Sequence, residues 1–229
     1  MDMPSPPLLV ADDVHKSFGV TQALNGASLQ VFPGEVLALT GPSGSGKSTL
    51  LHCLSGILTP DSGRVTFEGR DLTALSDRDR SALRRSAFGF VFQFGQLVPE
   101  LTCLENVALP LRLAGMRRKR AERLAAELLA ELGVTDVAGK RPGQVSGGQG
   151  QRVAVARALV TTPRMIFADE PTGALDFRNG EQVMRLLVAA AKQRGSAVVL
   201  VTHEARIAAE ADREVALADG VAAVPAAAR

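Results

Sequence analysis

The stretch Gly41-Pro-Ser-Gly-Ser-Gly-Lys47-Ser48 fits the pattern G-x-x-x-x-G-K-[S/T] and guides the interpretation of the whole sequence. An apolar run at 36–40 precedes it and an apolar-periodic segment at 47–57 follows it, which predicts a strand, a loop and a helix. Triphosphate oxygens need several converging backbone N–H donors, and only a loop with small side chains lets the backbone come so close. The stretch predicts a phosphate-binding P-loop in an α/β fold, with Lys47 on the β- and γ-phosphates and the Ser48 hydroxyl on Mg²⁺.

Two adjacent acids, Asp169 and Glu170, end a second apolar run at 165–168. Asp169 suits the coordination shell of Mg²⁺, and Glu170, on the other side of the pleat, can polarise a water that attacks the γ-phosphate. The alternative is a strand end that caps a neighbouring helix or forms a surface salt bridge. A second acid after the metal acid favours hydrolysis over a kinase or a simple GTPase switch.

The rest of the chain alternates between strand and helix patterns. Residues 10–18 and 27–32 predict two strands separated by a turn at Asn25-Gly26, and continuous apolar runs predict buried parallel strands at 165–168 and 197–201. Helical periodicity is predicted at 47–57, across 100–133 with Gly133 as a C-cap, from the loop-to-helix entry at 147–160, and at 180–194. The Ala-rich tail from Val221 is expected to fray.

Composition narrows the class of protein. The chain of 229 residues carries 26 Lys and Arg and 24 Asp and Glu, and a net charge of +2 gives no reason to expect a nucleic-acid partner. Cys53 and Cys103 lie among apolar neighbours without a CxxC pattern and are interpreted as reduced core residues. The polar, Pro-rich start predicts no signal peptide, and no stretch predicts a membrane span, so work at a membrane requires a partner.

A second Gly-rich helix start, Val145-Ser146-Gly147-Gly148-Gln149, precedes a predicted helix at 151–159. Two glycines and a serine at a helix N-terminus form an anion site. One nucleotide does not need two phosphate cradles, so the economical interpretation is that this site meets the nucleotide of a second copy. The alternative for the pentapeptide alone is a simple turn before a helix.

With these motifs in this order, the sequence resembles the ATPase subunits of ABC transporters over residues 8–220. Gln93 corresponds to the Q-loop, Ala174-Leu-Asp176 to the D-loop, His203 to the switch histidine and Phe18 to the aromatic residue that stacks on adenine. The resemblance implies one ABC ATPase domain over 1–229 with a P-loop NTPase core and a mainly parallel sheet. It places the RecA-like core at about 8–90 and 161–220, with an antiparallel β subdomain near the N-terminus. An inserted α-helical subdomain would occupy about 91–160.

The resemblance also implies a role for each motif residue. Glu170, His203 and Gln93 would be catalytic, and Ser48, Gln93 and Asp169 would hold Mg²⁺. Without the resemblance, His203 reads as a structural histidine, Gln93 as a loop amide and Phe18 as a core residue. The residues implied to contact ATP are Phe18, Gly41, Ser43, Gly44, Ser45, Gly46, Lys47, Ser48, Thr49, Ser146, Gly147, Gly148, Gln149 and Asp176.

Finer motifs narrow the resemblance to the branch that contains the MacB, LolD and FtsE ATPases. These motifs are Phe88-Gly-Phe-Val-Phe-Gln93, Leu104-Glu-Asn-Val107 and Ala168-Asp-Glu-Pro-Thr-Gly-Ala-Leu-Asp176. The branch implies an ATP-dependent homodimer at the cytoplasmic side of the membrane. Its partner would be an integral FtsX- or MacB-like permease with few spans, for export, extrusion of lipoprotein, peptide or drug, or mechanical signalling. The alternatives are a soluble ABC-type ATPase that acts on ribosomes or DNA and a scaffold that gates a cell-envelope enzyme without transport.

Three positions depart from the family pattern. Phe18 replaces the commoner Tyr, which keeps the stacking surface but loses the hydroxyl, and Val145 stands where Leu is commoner. Gly150 lies in the first turn of the signature helix, within the predicted loop-to-helix entry at 147–160, where Gly costs about 1 kcal/mol of helix propensity. The basic run at 117–120 is interpreted as a solvated helix face, with contact to anionic lipid as the alternative. Binding to nucleic-acid phosphate comes third, because no aromatic residues are interleaved with the run.

Overall fold

The structure is a computed structural model that describes residues 6–223. Its strands are β1 (Leu9–Phe18), β2 (Thr21–Val31), β3 (Val36–Thr40), β4 (Ser62–Phe67), β5 (Arg70–Asp71), β6 (Phe88–Phe92), β7 (Met165–Asp169), β8 (Ala197–Val201), β9 (Arg213–Ala218) and β10 (Val221–Ala223). Its helices are α1 (Lys47–Leu54), α2 (Asp77–Ala87), α3 (Cys103–Leu113), α4 (Arg118–Glu131), α5 (Gly147–Leu159), α6 (Phe177–Arg194) and α7 (Ala205–Ala208). Short 3₁₀ turns lie at Thr135–Val137 and Pro142–Gln144.

The chain divides into two compact units, the first made of residues 1–84 and 197–229 and the second of residues 85–196. Two sheets form the first unit. One is antiparallel, with strand order β2-β1-β4-β5, and the other contains β10-β9-β3-β8. In the second sheet β3 runs parallel to both β8 and β9, and every residue of β8 is buried. The continuous apolar run at 197–201 thus belongs to a buried parallel strand, as predicted.

In the second unit β6 and β7 pair in parallel, and α5 packs against β6, α3 and α4. A capping box starts α3, because the Thr102 hydroxyl accepts the Glu105 backbone N–H at 3.2 Å while the Glu105 carboxylate accepts the Thr102 N–H at 3.0 Å. Asn106 is fully buried, and its side chain bonds the backbone of Val98 and Leu101. These local bonds fix the chain between β6 and α3.

The predicted fold class is confirmed: an α/β chain with mainly parallel strands, an antiparallel β part near the N-terminus and helices between β6 and β7. The helical stretch at 100–133 is two helices, because Gly115 takes φ +89° between α3 and α4, whereas Gly133 follows α4 with φ +68° as predicted. Sequence reasoning missed α2 altogether, a highly charged helix with Ala87 as its buried residue. The domain limits stay a prediction.

The predicted turn at Asn25-Gly26 is wrong. The turn between β1 and β2 falls at Gly19-Val20, because Phe18 pairs with Thr21. Asn25 and Gly26 lie inside β2, where the register shifts between the pairs Val14–Ala27 and His15–Asn25 and Gly26 takes φ +83°. A glycine with positive φ marks a β-bulge as readily as it marks a turn, and only the pairing partner distinguishes the two.

The two ends of the chain were predicted to hold a fraying tail and a start without a signal peptide. The tail does not fray at its start, because Val221–Ala223 pairs with β9 as the antiparallel strand β10. The structure does not describe residues 224–229, the rest of the tail. It also does not describe residues 1–5, which belong to the start predicted to lack a signal peptide. Within 6–223, none of the helices is long and apolar enough to span a bilayer.

Candidate nucleotide-binding and hydrolysis site

The phosphate loop of the first unit leaves no room for a side chain at two of its glycines. A Cβ on Gly41, which has φ +138°, would lie 2.1 Å from the Leu217 carbonyl oxygen. A Cβ on Gly46, with φ +98°, would lie 2.2 Å from the carbonyl oxygen of Ala23. Both contacts are with backbone atoms that cannot yield, so these positions require glycine. Gly46 immediately precedes α1, and the loop therefore ends at a helix N-terminus as predicted.

Lys47 is the buried cation of this loop, with 7% of its surface exposed. Its Nζ donates to the carbonyl oxygens of Gly41 at 2.9 Å and Pro42 at 2.7 Å, which holds the ammonium inside the curve of the loop. Ser43, Gly44 and Ser48 are exposed. The Ser45 hydroxyl, in contrast, is buried without a hydrogen-bond partner in the described part of the chain. An anion at the open side of the loop would meet Lys47 and the start of α1.

Phe18 and His203 are the other first-unit residues singled out from the sequence. Phe18 ends β1 with 51% of its surface exposed, and the Lys16 ammonium lies 5.8 Å from its ring centroid. Asp61 accepts hydrogen bonds from Lys16 Nζ and from the Ser17 backbone N–H, both at 2.7 Å, and these bonds lower the pKa of its carboxyl. The exposed ring argues against the core alternative. His203 is also exposed, in the turn after β8.

The acid pair lies at the end of β7 in the second unit. Asp169 is the last residue of the strand, and both Asp169 and Glu170 are partly buried. Glu170 takes φ +44°, a left-handed conformation that a non-glycine residue adopts at an energetic cost of roughly 1–3 kcal/mol. Backbone strain of this kind concentrates at functional sites, which is consistent with the catalytic role predicted for Glu170.

The Gln93 side chain lies against Gly173, four residues after Asp169. A Cβ at Gly173 would meet Gln93 Nε2 at 2.7 Å and Gln93 Cδ at 3.2 Å. Gly173 does not take a positive φ, so its lack of a side chain serves to admit Gln93. Sequence reasoning did not single out Gly173, because nothing in a pattern reveals which side chain a glycine makes room for.

The signature stretch and the D-loop lie together in the second unit. Ser146 caps α5 in a capping box with Gln149, and Ser146 and Gly147 are exposed. A Cβ on Gly147 would touch Leu175, and one on the buried Gly148 would press on Asn179 at 3.2 Å. A cavity of about 250 Å³ lies here, and its lining includes Gln93, Ser146, Gly147 and Leu175. The start of α5 is therefore an accessible helix N-terminus next to the loop at 174–176.

Asp176 serves as the N-cap of α6. Its carboxylate accepts the Asn179 backbone N–H at 3.1 Å and the Asn179 side-chain amide at 2.6 Å. These hydrogen bonds hold the pKa of the Asp176 carboxyl below its ordinary value, so the group stays ionised at neutral pH. The capping role accounts for Asp176 structurally, and its predicted contact with nucleotide stays a prediction.

The family model described as "ABC transporter" matches residues 24–173, from β2 past both acids. The chain belongs to the ABC transporter family. It is 48% identical to the lipoprotein-releasing system ATP-binding protein LolD 2 of Caulobacter vibrioides over 88% of this chain and 89% of that relative. It is 43% identical to the LolD protein of Bacteroides thetaiotaomicron, over 93% and 98% of the two chains. The macrolide export ATP-binding/permease protein MacB of Marinobacter nauticus is 44% identical, over 93% of this chain and 34% of MacB.

A solved structure of an ABC cassette supports the same assignment. The dimeric post-hydrolysis state of the ATP-binding cassette MJ0796 bound to ADP and Pi superimposes with a TM-score of 0.86 at 38% identity. The match covers 93% of this chain and 96% of that one. As an ABC ATPase, the chain binds ATP and hydrolyses it. The predicted family, activity and nucleotide are therefore confirmed.

For this ABC ATPase we expect Gly173→Ala to lower kcat by about ten- to a hundredfold, because the new methyl group displaces Gln93, which is predicted to be catalytic, and small misplacements of a catalytic group are costly. The clash involves the end of a flexible side chain, so the thermal unfolding midpoint should barely change. Steady-state ATPase assays and thermal melts measure both effects. Gly139→Ala is the matched control, since a Cβ there meets nothing within 4 Å. A kcat of Gly173→Ala equal to that of Gly139→Ala would contradict the prediction.

Proposed function

We propose that the chain works as a head-to-tail dimer that binds Mg²⁺-ATP and uses its hydrolysis to drive a separate membrane permease. One observation carries the proposal: the chain presents two Gly-rich helix N-termini, the phosphate loop before α1 and the exposed Ser146-Gly147 start of α5. One nucleotide occupies the first. The second meets the γ-phosphate of the nucleotide bound to the other copy, so that ATP holds the closed dimer together.

Nucleotide binding is assigned to the first unit. The backbone N–H groups from Gly41 to Thr49 cradle the phosphates, and the Lys47 ammonium neutralises the charge of the β- and γ-phosphates. Phe18 stacks on the adenine ring. Stacking requires an exposed aromatic face, and the Phe18 ring is exposed. Stacking contacts the face of a base and not the hydrogen-bonding groups at its edge. Phe18 therefore contributes more to nucleotide affinity than to selectivity among purines.

The residues assigned to Mg²⁺ suit that ion. Ser48, Asp169 and Gln93 supply a hydroxyl, a carboxylate and an amide oxygen, and Mg²⁺ prefers such hard oxygen ligands together with substrate phosphates. Within 6–223 there is no cluster of three His, Cys, Asp or Glu side chains that would hold a metal without the nucleotide. When bound, Mg²⁺ supplies charge neutralisation on the phosphate oxygens.

Hydrolysis is assigned to Glu170, His203 and Gln93. The Glu170 carboxylate orients the attacking water and accepts its proton as the water oxygen bonds to the γ-phosphorus. The bond between the γ-phosphorus and the β–γ bridging oxygen breaks, and ADP is the leaving group. His203 donates a hydrogen bond to the γ-phosphate, and Gln93 orients the same water through its amide. Hydrolysis detaches the γ-phosphate from ADP, and its release takes away the anion that Ser146 and Gly148 of the other copy hold, which opens the dimer.

The partner that fits is an integral permease with few spans and an extracytoplasmic domain, at the cytoplasmic face of the membrane. Support comes from relatives named for lipoprotein release and for macrolide export. We therefore propose export or extrusion, with transmembrane mechanical signalling through the same ATPase as the second candidate. The helical subdomain, roughly residues 90–160, transmits the change to the permease.

The partner is tested by affinity purification from native membranes with tagged Glu170→Gln in Mg²⁺-ATP, which favours the closed dimer. We expect an integral protein of the stated type to co-purify, and to be lost when Lys47→Met is added to the same chain. Recovery of ribosomes or DNA alone would contradict the permease. Two results together would favour the signalling candidate over export. The permease would co-purify with an envelope hydrolase, and proteoliposomes would show no ATP-dependent movement of cargo.

A further inference from the structure

The loop that follows β6 carries Gln93 and is a strained double turn. The Gly95 N–H donates to the Phe92 carbonyl at 3.0 Å, and the Gln96 N–H donates to the Phe94 carbonyl at 2.7 Å. Gly95 and Gln96 take φ +65° and +44°, so two consecutive residues are left-handed and the second is not a glycine. Such a backbone persists only where its surroundings hold it.

Two side chains of α5 hold this loop by its carbonyl groups. Arg157 donates from Nη2 to the Gly95 carbonyl at 2.7 Å and from Nη1 to the Gln96 carbonyl at 2.8 Å. Six residues earlier, the buried Gln151 donates from Nε2 to the Phe92 carbonyl at 2.9 Å. The helix that begins with the signature residues thus bonds one carbonyl before Gln93, that of Phe92, and two after it, those of Gly95 and Gln96.

The two bonds of Arg157 match the geometry of a guanidinium. Two adjacent left-handed residues aim their carbonyl groups at one partner, and a planar fork with two terminal nitrogens satisfies both at once. A lysine ammonium can also bond two carbonyl groups, as Lys47 does, but it donates from one nitrogen and lacks the planar, two-nitrogen spacing that matches this turn. Burial lowers the pKa of Arg157, yet the group remains a cation whose charge the two carbonyl dipoles solvate.

We propose that Arg157 is a positioning residue for hydrolysis: it locks the left-handed turn at Gly95-Gln96 and so holds Gln93 beside Gly173. This inference rests on the proposed role of Gln93 and adds the signature helix as the support of the Q-loop. The hydrogen bonds of Arg157 go to the loop, and through the loop it acts on Gln93.

The test compares Arg157→Lys and Arg157→Met with the unaltered full chain in Mg²⁺-ATP. We expect kcat to fall about tenfold in Arg157→Lys and up to a hundredfold in Arg157→Met, with KM for ATP changed less than threefold. Amide hydrogen exchange at residues 93–98 should become faster in both. Arg194→Lys is the matched control, because Arg194 also forks, onto Glu131 at 2.9 and 2.6 Å, but away from this loop. That variant should keep its kcat and its exchange at 93–98.

A double-mutant cycle separates positioning from general stability. If Arg157 acts through Gln93, the pair Arg157→Lys and Gln93→Ala loses no more kcat than Gln93→Ala alone. Multiplied losses, or unchanged exchange at 93–98, would overturn the inference. If Gln93→Ala alone keeps full kcat, the proposed role of Gln93 fails and Arg157 no longer has a catalytic group to position. The exchange data then report separately whether Arg157 holds the loop.

Discussion

Glu170→Gln is expected to slow ATP hydrolysis by about 10²- to 10⁴-fold, the usual contribution of a general base. Gln has the same length and tolerates the left-handed backbone of this position no worse than Glu, so the substitution removes basicity and little else. ATP binding should persist, since the phosphate loop is untouched. The variant should also accumulate as an ATP-bound dimer. Single-turnover assays and size-exclusion chromatography with Mg²⁺-ATP measure the two effects.

The matched control for this substitution is Glu181→Gln in α6. Its carboxylate lies 3.9 Å from Arg185 within the same helix, and a pair of this kind contributes little to stability. Hydrolysis by Glu181→Gln should equal that of the unaltered chain. Turnover by Glu170→Gln within tenfold of this control would remove Glu170 from the mechanism and leave the strained backbone without a catalytic explanation.

Lys47→Met is expected to lower kcat/KM for ATP by about 10²- to 10³-fold, because a buried charge that faces the transferred phosphate is lost. Nucleotide affinity should fall as well, by about ten- to a hundredfold, the worth of one hydrogen bond to a charged group. Met keeps the length of the stem and fills the same volume under the loop. Titration with a fluorescent ATP analogue and steady-state kinetics report binding and turnover separately.

Loss of binding through misfolding is distinguishable from loss of the charge. Lys47 donates to two carbonyl groups of the loop, so circular dichroism and a thermal melt accompany each assay. Lys119→Met, an exposed lysine of α4, controls for the change in net charge and should bind ATP normally. Unchanged affinity in Lys47→Met would mean that the ammonium serves the loop and not the phosphate.

Much of this molecule was readable from local sequence alone. The phosphate loop, the apolar strands at 165–168 and 197–201 and the glycine after α4 depend on backbone chemistry within a few residues, and all lie where the sequence predicted. The order of the motifs sufficed for the family, and hence for ATP as the substrate. Local patterns failed where they were ambiguous: Asn25-Gly26 is a bulge in β2, and the charged α2 has too few apolar residues to show a periodicity.

Contacts between residues far apart in the sequence were decided by tertiary structure. Arg157 lies some sixty positions from the carbonyl groups it holds, and Gly173 some eighty from the side chain it admits. No spacing or propensity encodes these partners, because each position looks locally like an ordinary helix arginine or loop glycine. The sequence therefore determined the chemistry that this ATPase performs. The packing of α5 on β6 determined that Gln151 and Arg157 hold the loop that carries Gln93. Only the folded chain brings these side chains within hydrogen-bonding distance of the loop carbonyl groups.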